Sequence, residues 1–182
     1  MPVAVAVAAT LQLLLAATFF VLPLAVLVYG DAVQRAAEAE VVHQGFPAEI
    51  LAAHGIRFKE RAWEFALANA IAVALTALAV LNFAGNRAGQ ILSWIAEPVV
   101  WIAAGSVTAG QVFAARYTVA AFARSKDTTA RDLDAQAVIT VASDAFPIWL
   151  RPTVFMRFVL VILGSPLVIL LLLTSSANAY FH

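Results

Sequence analysis

Long apolar runs with at most one charged residue each dominate this chain, and they alternate with two segments that hold nearly all of the charge. A helix rises about 1.5 Å per residue, so roughly 20 apolar residues cross the hydrocarbon core of a bilayer. Four runs reach that length, at about 3–29, 65–83, 90–115 and 153–174. The pattern predicts an all-α integral membrane protein with four transmembrane helices arranged as two hairpins.

The first run resembles a secretory signal peptide only in its position. No basic residue precedes it, and it is longer than the apolar region of a signal peptide. We therefore expect it to be retained, and we treat 1–182 as a single membrane domain.

The distribution of Lys and Arg predicts the orientation of the spans, because cytoplasmic loops carry an excess of basic residues. Loops 30–64 and 116–152, with the start of the last span, hold ten of the eleven basic residues, and the turn between spans two and three holds only Arg87. We therefore expect both large loops in the cytoplasm and both termini outside it. Because the Ala and Val runs are typical of a high-GC bacterial genome, we assign the protein to a bacterial inner membrane.

Both cytoplasmic loops show helical patterns of their own. In the third loop, which is loop 116–152, Thr129 followed by Asp132 has the spacing of a capping box, and Pro147 would end the helix. Its apolar and polar positions separate onto two faces, which predicts an amphipathic helix of about four turns. The apolar positions are Leu133, Ala137, Val138, Val141 and Ala145, opposite Asp134, Gln136, Ser143 and Asp144.

The sequence of the first loop, 30–64, predicts an extension of span one through Val42, a break at Gly45 to Pro47 and a short helix that ends at Gly55. Its apolar residues would face the membrane surface, with basic residues contacting lipid head groups. The apolar residues are Ile50, Leu51, Ile56 and Phe58, and the basic residues are Arg57, Lys59 and Arg61.

A short pattern occurs twice, 100 positions apart. Phe-Pro at 46–47 followed by Arg-Phe at 57–58 recurs as Phe-Pro at 146–147 followed by Arg-Phe at 157–158. Duplication of a helical hairpin would produce this pattern. The flanking spans do not align without gaps, so we favour chance.

Composition supports the membrane assignment and excludes several classes of function. Hydrophobic residues make up 63% of the chain and charged residues 12%, and the mean hydropathy is +0.90, beyond the range of soluble domains. The formal charge is zero without a basic block, so we expect no nucleic-acid partner. The chain has no cysteine, which excludes disulfides and thiol chemistry.

No cofactor or metal site is predicted. The four runs contain no histidine for bis-imidazole haem and no lysine for a retinal Schiff base, and no phosphate-binding loop occurs. His43 and His54 lie near acidic residues, but their spacing matches no zinc site, and we favour a solvated surface.

Glu97 is the only acidic residue in the four runs and the strongest candidate for chemistry. If the third helix begins near Gln90, Glu97 lies about two turns inside the membrane, where a carboxyl group would bind a proton or a cation. Alternatively, Pro98 is the first helical residue and Glu97 lies at the outer interface. We favour the second interpretation.

The other polar and small residues of the spans predict helix packing. Asn69, Asn82, Asn86 and Gln111 would form hydrogen bonds between helices. Pro23 and the Gly164 to Pro166 step would kink their helices. Small residues in the third span would let another helix approach closely, either within the chain or in another subunit. They are Ala104, Gly105, Ser106, Thr108, Ala109 and Gly110.

The sequence is compatible with three functions. The favoured hypothesis is a non-catalytic accessory or assembly subunit of a larger bacterial transport or respiratory complex. The first alternative is a small oligomeric transporter or channel that uses Glu97 for ions or protons. The second is a membrane enzyme acting on lipid, which no motif supports. Partners would be the bilayer and other membrane subunits or further copies of the chain.

Overall fold

The computed structural model describes residues 1–124 and 131–181, and these residues form helices without any β-strand. The predicted all-α class is therefore confirmed for the described part of the chain. The helices are α1 (Val3–His43), α2 (Ile50–Ala53), α3 (Ala62–Phe83), α4 (Arg87–Val112), α5 (Ala114–Ala123), α6 (Ala135–Asp144), α7 (Leu150–Val159), α8 (Ser165–Leu172) and α9 (Ser175–Tyr180), with a π-helical turn at Leu160–Gly164 between α7 and α8.

Four helices in the described residues are long and apolar enough to cross a membrane: α1, α3, α4 and the continuous run Leu150–Leu172, which we call the last span. They match the four predicted runs and indicate a multi-pass membrane protein. The 41 residues of α1 correspond to about 60 Å, twice the thickness of a hydrocarbon core. The helix therefore continues well beyond the predicted first span.

The chain divides into two compact units. The first unit comprises Met1–Leu22, Ala66–Val112 and Thr153–His182, and the second comprises Pro23–Phe65 and Phe113–Pro152. Because α1 contributes to both, the units do not correspond to consecutive stretches of sequence.

In the first unit, α4 packs antiparallel against the last span. Gln90 Nε2 donates to the carbonyl of Leu172 at 2.9 Å, and Trp101 Nε1 donates to that of Ile162 at 3.2 Å. Residue numbers therefore increase along α4 in the direction in which they decrease along the last span. A Cβ atom on Gly105 would lie 3.4 Å from Ile162 Cδ1, so the glycine lies at this interface.

The predicted small-residue face therefore packs partly within the bundle. Ala104, Gly105 and Thr108 are buried, whereas Ala109 and Gly110 are half-buried and Ser106 is exposed. The helix that approaches this face closely is the chain's own last span.

The π-helical turn occupies the position where a kink is predicted. Pro166 has no N–H group, so the carbonyl four residues earlier, that of Ile162, loses its usual helical donor. Trp101 supplies a donor to this carbonyl. By contrast, α1 and α4 continue as helices through Pro23 and Pro98.

One end of the first unit is closed by the α3–α4 turn and α9. Gly85 has a φ of 68°, which favours glycine in the turn. Thr174 caps α9 by accepting a bond from the Ala177 N–H, and the Tyr180 hydroxyl donates to the carbonyl of Phe83 at 2.8 Å. Apolar side chains support this closure: Val5, Ala8, Val168, Leu172, Ala177 and Phe181.

The second unit has its own apolar core, which corrects the expectation for the first loop. Ile50 and Leu51, expected at the membrane surface, are only 6% and 1% exposed, and Ile56 and Phe58 pack against the same core. The sequence did not indicate that the extension of α1 and the two loops would cover each other's apolar faces. The core consists of Val33, Ala37, Val41, Ile50, Leu51, Phe122, Leu133, Ala135, Val138 and Ala142.

The helix expected in the third loop is α6, although its buried face differs. The buried positions are Leu133, Ala135, Val138 and Ala142, rather than a face that includes Ala137, Val141 and Ala145. The Asp134 side chain caps the helix by accepting from the Ala137 N–H at 3.0 Å. Thr129, which we expected to form the capping box, lies outside the described residues.

The two Phe-Pro steps adopt the same local structure. Phe46 and Phe146 both pack against the core of the second unit. The carbonyls of the prolines that follow accept bonds from the N–H groups three residues later, at 3.1 Å for Ile50 and 2.9 Å for Leu150. Each step is followed by a helix, α2 from Ile50 and α7 from Leu150.

Candidate functional site

Buried polar side chains meet inside the first unit. Gln12 comes from α1, Asn82 from the end of α3, Ser93 and Glu97 from α4, and Ser165 from the start of α8. Each is at most 1% exposed. We call these five residues the polar cluster, and it joins all four candidate spans.

Hydrogen bonds connect the members from α1, α3 and α4. Gln12 Nε2 donates to Ser93 Oγ and to Glu97 Oε1, each at 3.0 Å. Asn82 Nδ2 donates to Gln12 Oε1 and to Ser93 Oγ, each at 2.9 Å. Gln12 thus uses both of its N–H bonds and its oxygen, and it fixes one side of the Glu97 carboxyl group.

Three oxygens of the cluster lack a hydrogen-bond partner among the residues that the structure describes: Glu97 Oε2, Asn82 Oδ1 and Ser165 Oγ. The Ser165 hydroxyl approaches the Glu97 carboxyl group but does not reach hydrogen-bond geometry. Buried polar atoms are normally paired, because an unpaired one costs about 1–3 kcal/mol. Their occurrence within one cluster suggests that the site accepts a further group.

The position of Glu97 corrects the interpretation that we favoured from sequence. Pro98 does not begin the third span, because α4 starts at Arg87 and continues through it. Glu97 lies ten positions after Arg87, which corresponds to about 15 Å along the helix. The proline was misleading because a helix accepts it internally when one main-chain hydrogen bond is given up.

A second buried polar contact lies elsewhere in the first unit. Arg157 is only 5% exposed, donates to Gln111 Oε1 and places its guanidinium carbon 5.3 Å from the centroid of the Phe19 ring. Such a cation–π contact is favourable when the cation is desolvated. We counted Arg157 as a basic residue just inside the last span, and the structure buries it between helices.

The three basic residues expected at lipid head groups lie in the second unit, near acidic groups. Arg57 donates to the Glu64 carboxylate, and this hydrogen bond raises the pKa of the guanidinium. Lys59 forms an ion pair with Asp31, and the main-chain N–H of Arg61 donates to Glu64 at 2.9 Å. All three remain at the surface of the unit, and head-group binding stays a prediction.

The histidines do not form a metal cluster in the described ranges 1–124 and 131–181, where no group of three or more His, Asp or Glu side chains lies together. His43 lies 3.8 Å from Glu40 at the surface. The His54 ring packs on Phe122, with 5.1 Å between ring centroids.

Two members of the polar cluster were predicted from the sequence, Glu97 as a candidate for chemistry and Asn82 as a helix contact. Gln12 and Ser93 were not predicted, and Ser165 was predicted only as part of a kink. One signal was present: Ser93 and Glu97 are four positions apart, so they lie on one helix face. Which residues of the other spans meet that face depends on helix rotation, which hydropathy does not specify.

No protein-family model matches the chain, and no curated protein or solved structure matches it.

Proposed function

We propose that this protein is a small ion- or proton-coupled membrane transporter or channel in which Glu97 is the binding group. The observation that carries the proposal is the state of this carboxyl group. It is 1% exposed in a candidate span, and only one of its two oxygens is hydrogen bonded within the described residues. Ionisable groups at such positions are costly, and they commonly mark ion or proton pathways.

We prefer this function to the accessory subunit, because the helix faces that could have bound other subunits pack largely against other parts of the same chain. The small-residue face packs partly against the last span, and the apolar faces of the loop helices form the core of the second unit. Four spans are few for a complete pathway, so the transporter would act as an oligomer or with other membrane subunits.

The accessory or assembly subunit remains a second candidate function. It is favoured by the hydrogen bonds that Gln12, Asn82 and Ser93 make between three helices. Such bonds stabilise a bundle without any ion movement. In this case Glu97 would be one more packing residue.

We further propose that the protein resides in a bacterial inner membrane, with loops 30–64 and 116–152 in the cytoplasm and both termini outside. The distribution of basic residues supports this orientation. Arg57, Lys59 and Arg61 would then lie near anionic head groups on the cytoplasmic side.

The experiment is a flux assay with the purified chain in sealed vesicles that contain a pH-sensitive dye, with an imposed membrane potential and either Na⁺ or K⁺ outside. Uptake of the radioactive cations is measured in parallel. Wild type should conduct, Glu97→Gln should not, and Ser106→Ala should behave as wild type because Ser106 is exposed on the same helix.

Equal flux in wild type and Glu97→Gln would reject Glu97 as the binding group. No flux in any variant would favour the accessory subunit. Purification from the native membrane in mild detergent, followed by mass spectrometry, would then be expected to recover stoichiometric partner subunits.

A further inference from the structure

We propose that the polar cluster binds a single alkali cation, with Glu97 Oε2, Asn82 Oδ1 and Ser165 Oγ as its candidate protein ligands. The inference deepens the proposed function and rests on it in one respect, namely that Glu97 is the group that binds the transported species. It specifies that species as a monovalent metal ion rather than a proton.

The number of unpaired oxygens favours a cation. A proton on Glu97 would add one donor, which could pair with one neighbouring oxygen such as that of Ser165. Asn82 Oδ1 would still be unpaired, because no described donor forms a hydrogen bond with it. A cation coordinates several oxygens at once and satisfies them together.

The charge of the cluster favours a monovalent ion. Glu97 is its only ionisable member, and the other four side chains are neutral amides and hydroxyls. One negative charge balances one alkali ion, whereas Ca²⁺ or Mg²⁺ would leave an excess positive charge in a buried site. Carboxylate, amide and hydroxyl oxygens are also the hard ligands that such ions prefer.

The local structure around Ser165 supports a ligand role for it. Ser165 directly follows the π-helical turn Leu160–Gly164, and π-helical turns occur frequently at functional sites. Its hydroxyl is 1% exposed and makes no hydrogen bond within the described residues. Helix stability alone does not require a serine at this position.

Gln12 would act as a positioning residue rather than a ligand. Its Nε2 donates a hydrogen bond to Glu97 Oε1, and its Oε1 accepts one from Asn82 Nδ2. These bonds leave Glu97 Oε2 and Asn82 Oδ1 available for the ion.

The test measures cation binding by the purified full chain in lipid nanodiscs, without requiring transport. Binding of radioactive Na⁺ and of radioactive K⁺ is measured, and the melting temperature is followed while NaCl or KCl replaces choline chloride at constant total salt. Because a ligand that binds only the folded state stabilises it, the melting temperature should rise with the bound alkali cation and not with choline.

Ser165→Ala is the decisive variant, because it removes a candidate ligand without removing any hydrogen bond that the structure describes. Changes around metal sites commonly weaken affinity by about 10- to 100-fold. We expect at least about tenfold weaker binding in Ser165→Ala, loss of binding in Glu97→Gln, and wild-type binding in the control Ser106→Ala.

Three outcomes would overturn the cation site: no radioactive Na⁺ or K⁺ bound by wild type, equal melting temperatures in the three salts, or unchanged affinity in Ser165→Ala. The proposed function stands and the cation site fails if protons carry the flux, if the flux is lost in Glu97→Gln, and if neither Na⁺ nor Ser165→Ala changes it. If cations bind as expected but no variant shows flux, the site stands and the transporter fails.

Discussion

Gln12 and Glu97 are 85 positions apart in the chain, and the Nε2 atom of the first donates to the Oε1 atom of the second at 3.0 Å. Both lie in apolar helices that are candidates for membrane spans. The contact therefore ties α1 to α4 at a buried position, where few water molecules compete for either group. It also fixes which face of each helix points into the bundle.

The first prediction concerns the stability of two variants at Glu97, one that keeps a hydrogen-bond acceptor at this position and one that removes it. In Na⁺- and K⁺-free buffer, Glu97→Gln should be at least as stable as wild type, because glutamine keeps the oxygen that accepts from Gln12 and carries no charge. Glu97→Ala should lose about 1–3 kcal/mol of unfolding free energy, because it leaves a buried N–H group unpaired. Denaturant titration in detergent, followed by helical circular dichroism, measures both.

Equal losses in the two Glu97 variants would contradict this account of the Gln12 contact. Ser106→Ala serves as the control on the same helix, since the Ser106 hydroxyl is exposed and bonds only to the nearby carbonyl of Ala103 in the described contacts.

The second prediction is energetic coupling between Gln12 and Asn82. Since Asn82 Nδ2 donates to Gln12 Oε1, a double-mutant cycle with Gln12→Leu and Asn82→Leu should give a coupling energy of about 0.5–1.5 kcal/mol. Thr10→Val and Thr76→Val form the control cycle, because their hydroxyls bond to carbonyls within their own helices. Coupling no larger than in the control would argue against the contact.

Much of the fold could be predicted because a bilayer imposes simple rules. A span needs a long apolar run, and the four helices that are long and apolar enough to cross a membrane lie close to the predicted places. The same rules gave the wrong start for the third helix, where a proline interrupts the apolar run. Pro98 suggested a helix start, but the eleven residues before it already form a helix that begins at Arg87.

The core of the second unit could not be predicted, since an apolar helix face has the same pattern whether it covers a membrane or another helix. Leu51 shows this ambiguity: its spacing suited a surface helix, and it is buried among residues from α1, α5 and α6. Which of the two surfaces covers such a face is decided by contacts between distant parts of the chain. The polar cluster was missed for the same reason, because Gln12 and Ser165 gain their significance only from their neighbours.

The third prediction uses two glycines of α4. A Cβ atom at Gly89 would lie 2.6 Å from Leu81 Cβ and 2.9 Å from the Leu81 carbonyl carbon, so α3 and α4 would have to separate. Gly89→Ala should therefore cost about 1–3 kcal/mol of stability. At Gly110 a Cβ atom would meet nothing within 4 Å, and Gly110→Ala should gain about 0.5–1 kcal/mol from helix propensity.

Thermal unfolding of the two glycine variants in the same detergent gives the comparison. A Gly89→Ala protein as stable as wild type would mean that α3 and α4 do not approach closely after their turn. Because Gly89 immediately precedes Gln90, the variant should also weaken the bonds from Gln90 to Leu172 and Asn178 that hold the end of the last span.

The fourth prediction tests orientation and exploits the absence of native cysteine. Single cysteines at His43 and Ala88 would be exposed, and they lie at the end of α1 and just after the α3–α4 turn. If loops 30–64 and 116–152 are cytoplasmic, a membrane-impermeant maleimide should label Ala88→Cys in intact spheroplasts. It should label His43→Cys only after lysis. The reverse pattern would invert the orientation, and labelling of both positions from outside would exclude a span between them. The assay thereby determines which compartment faces the Arg87 end of the helix that carries Glu97.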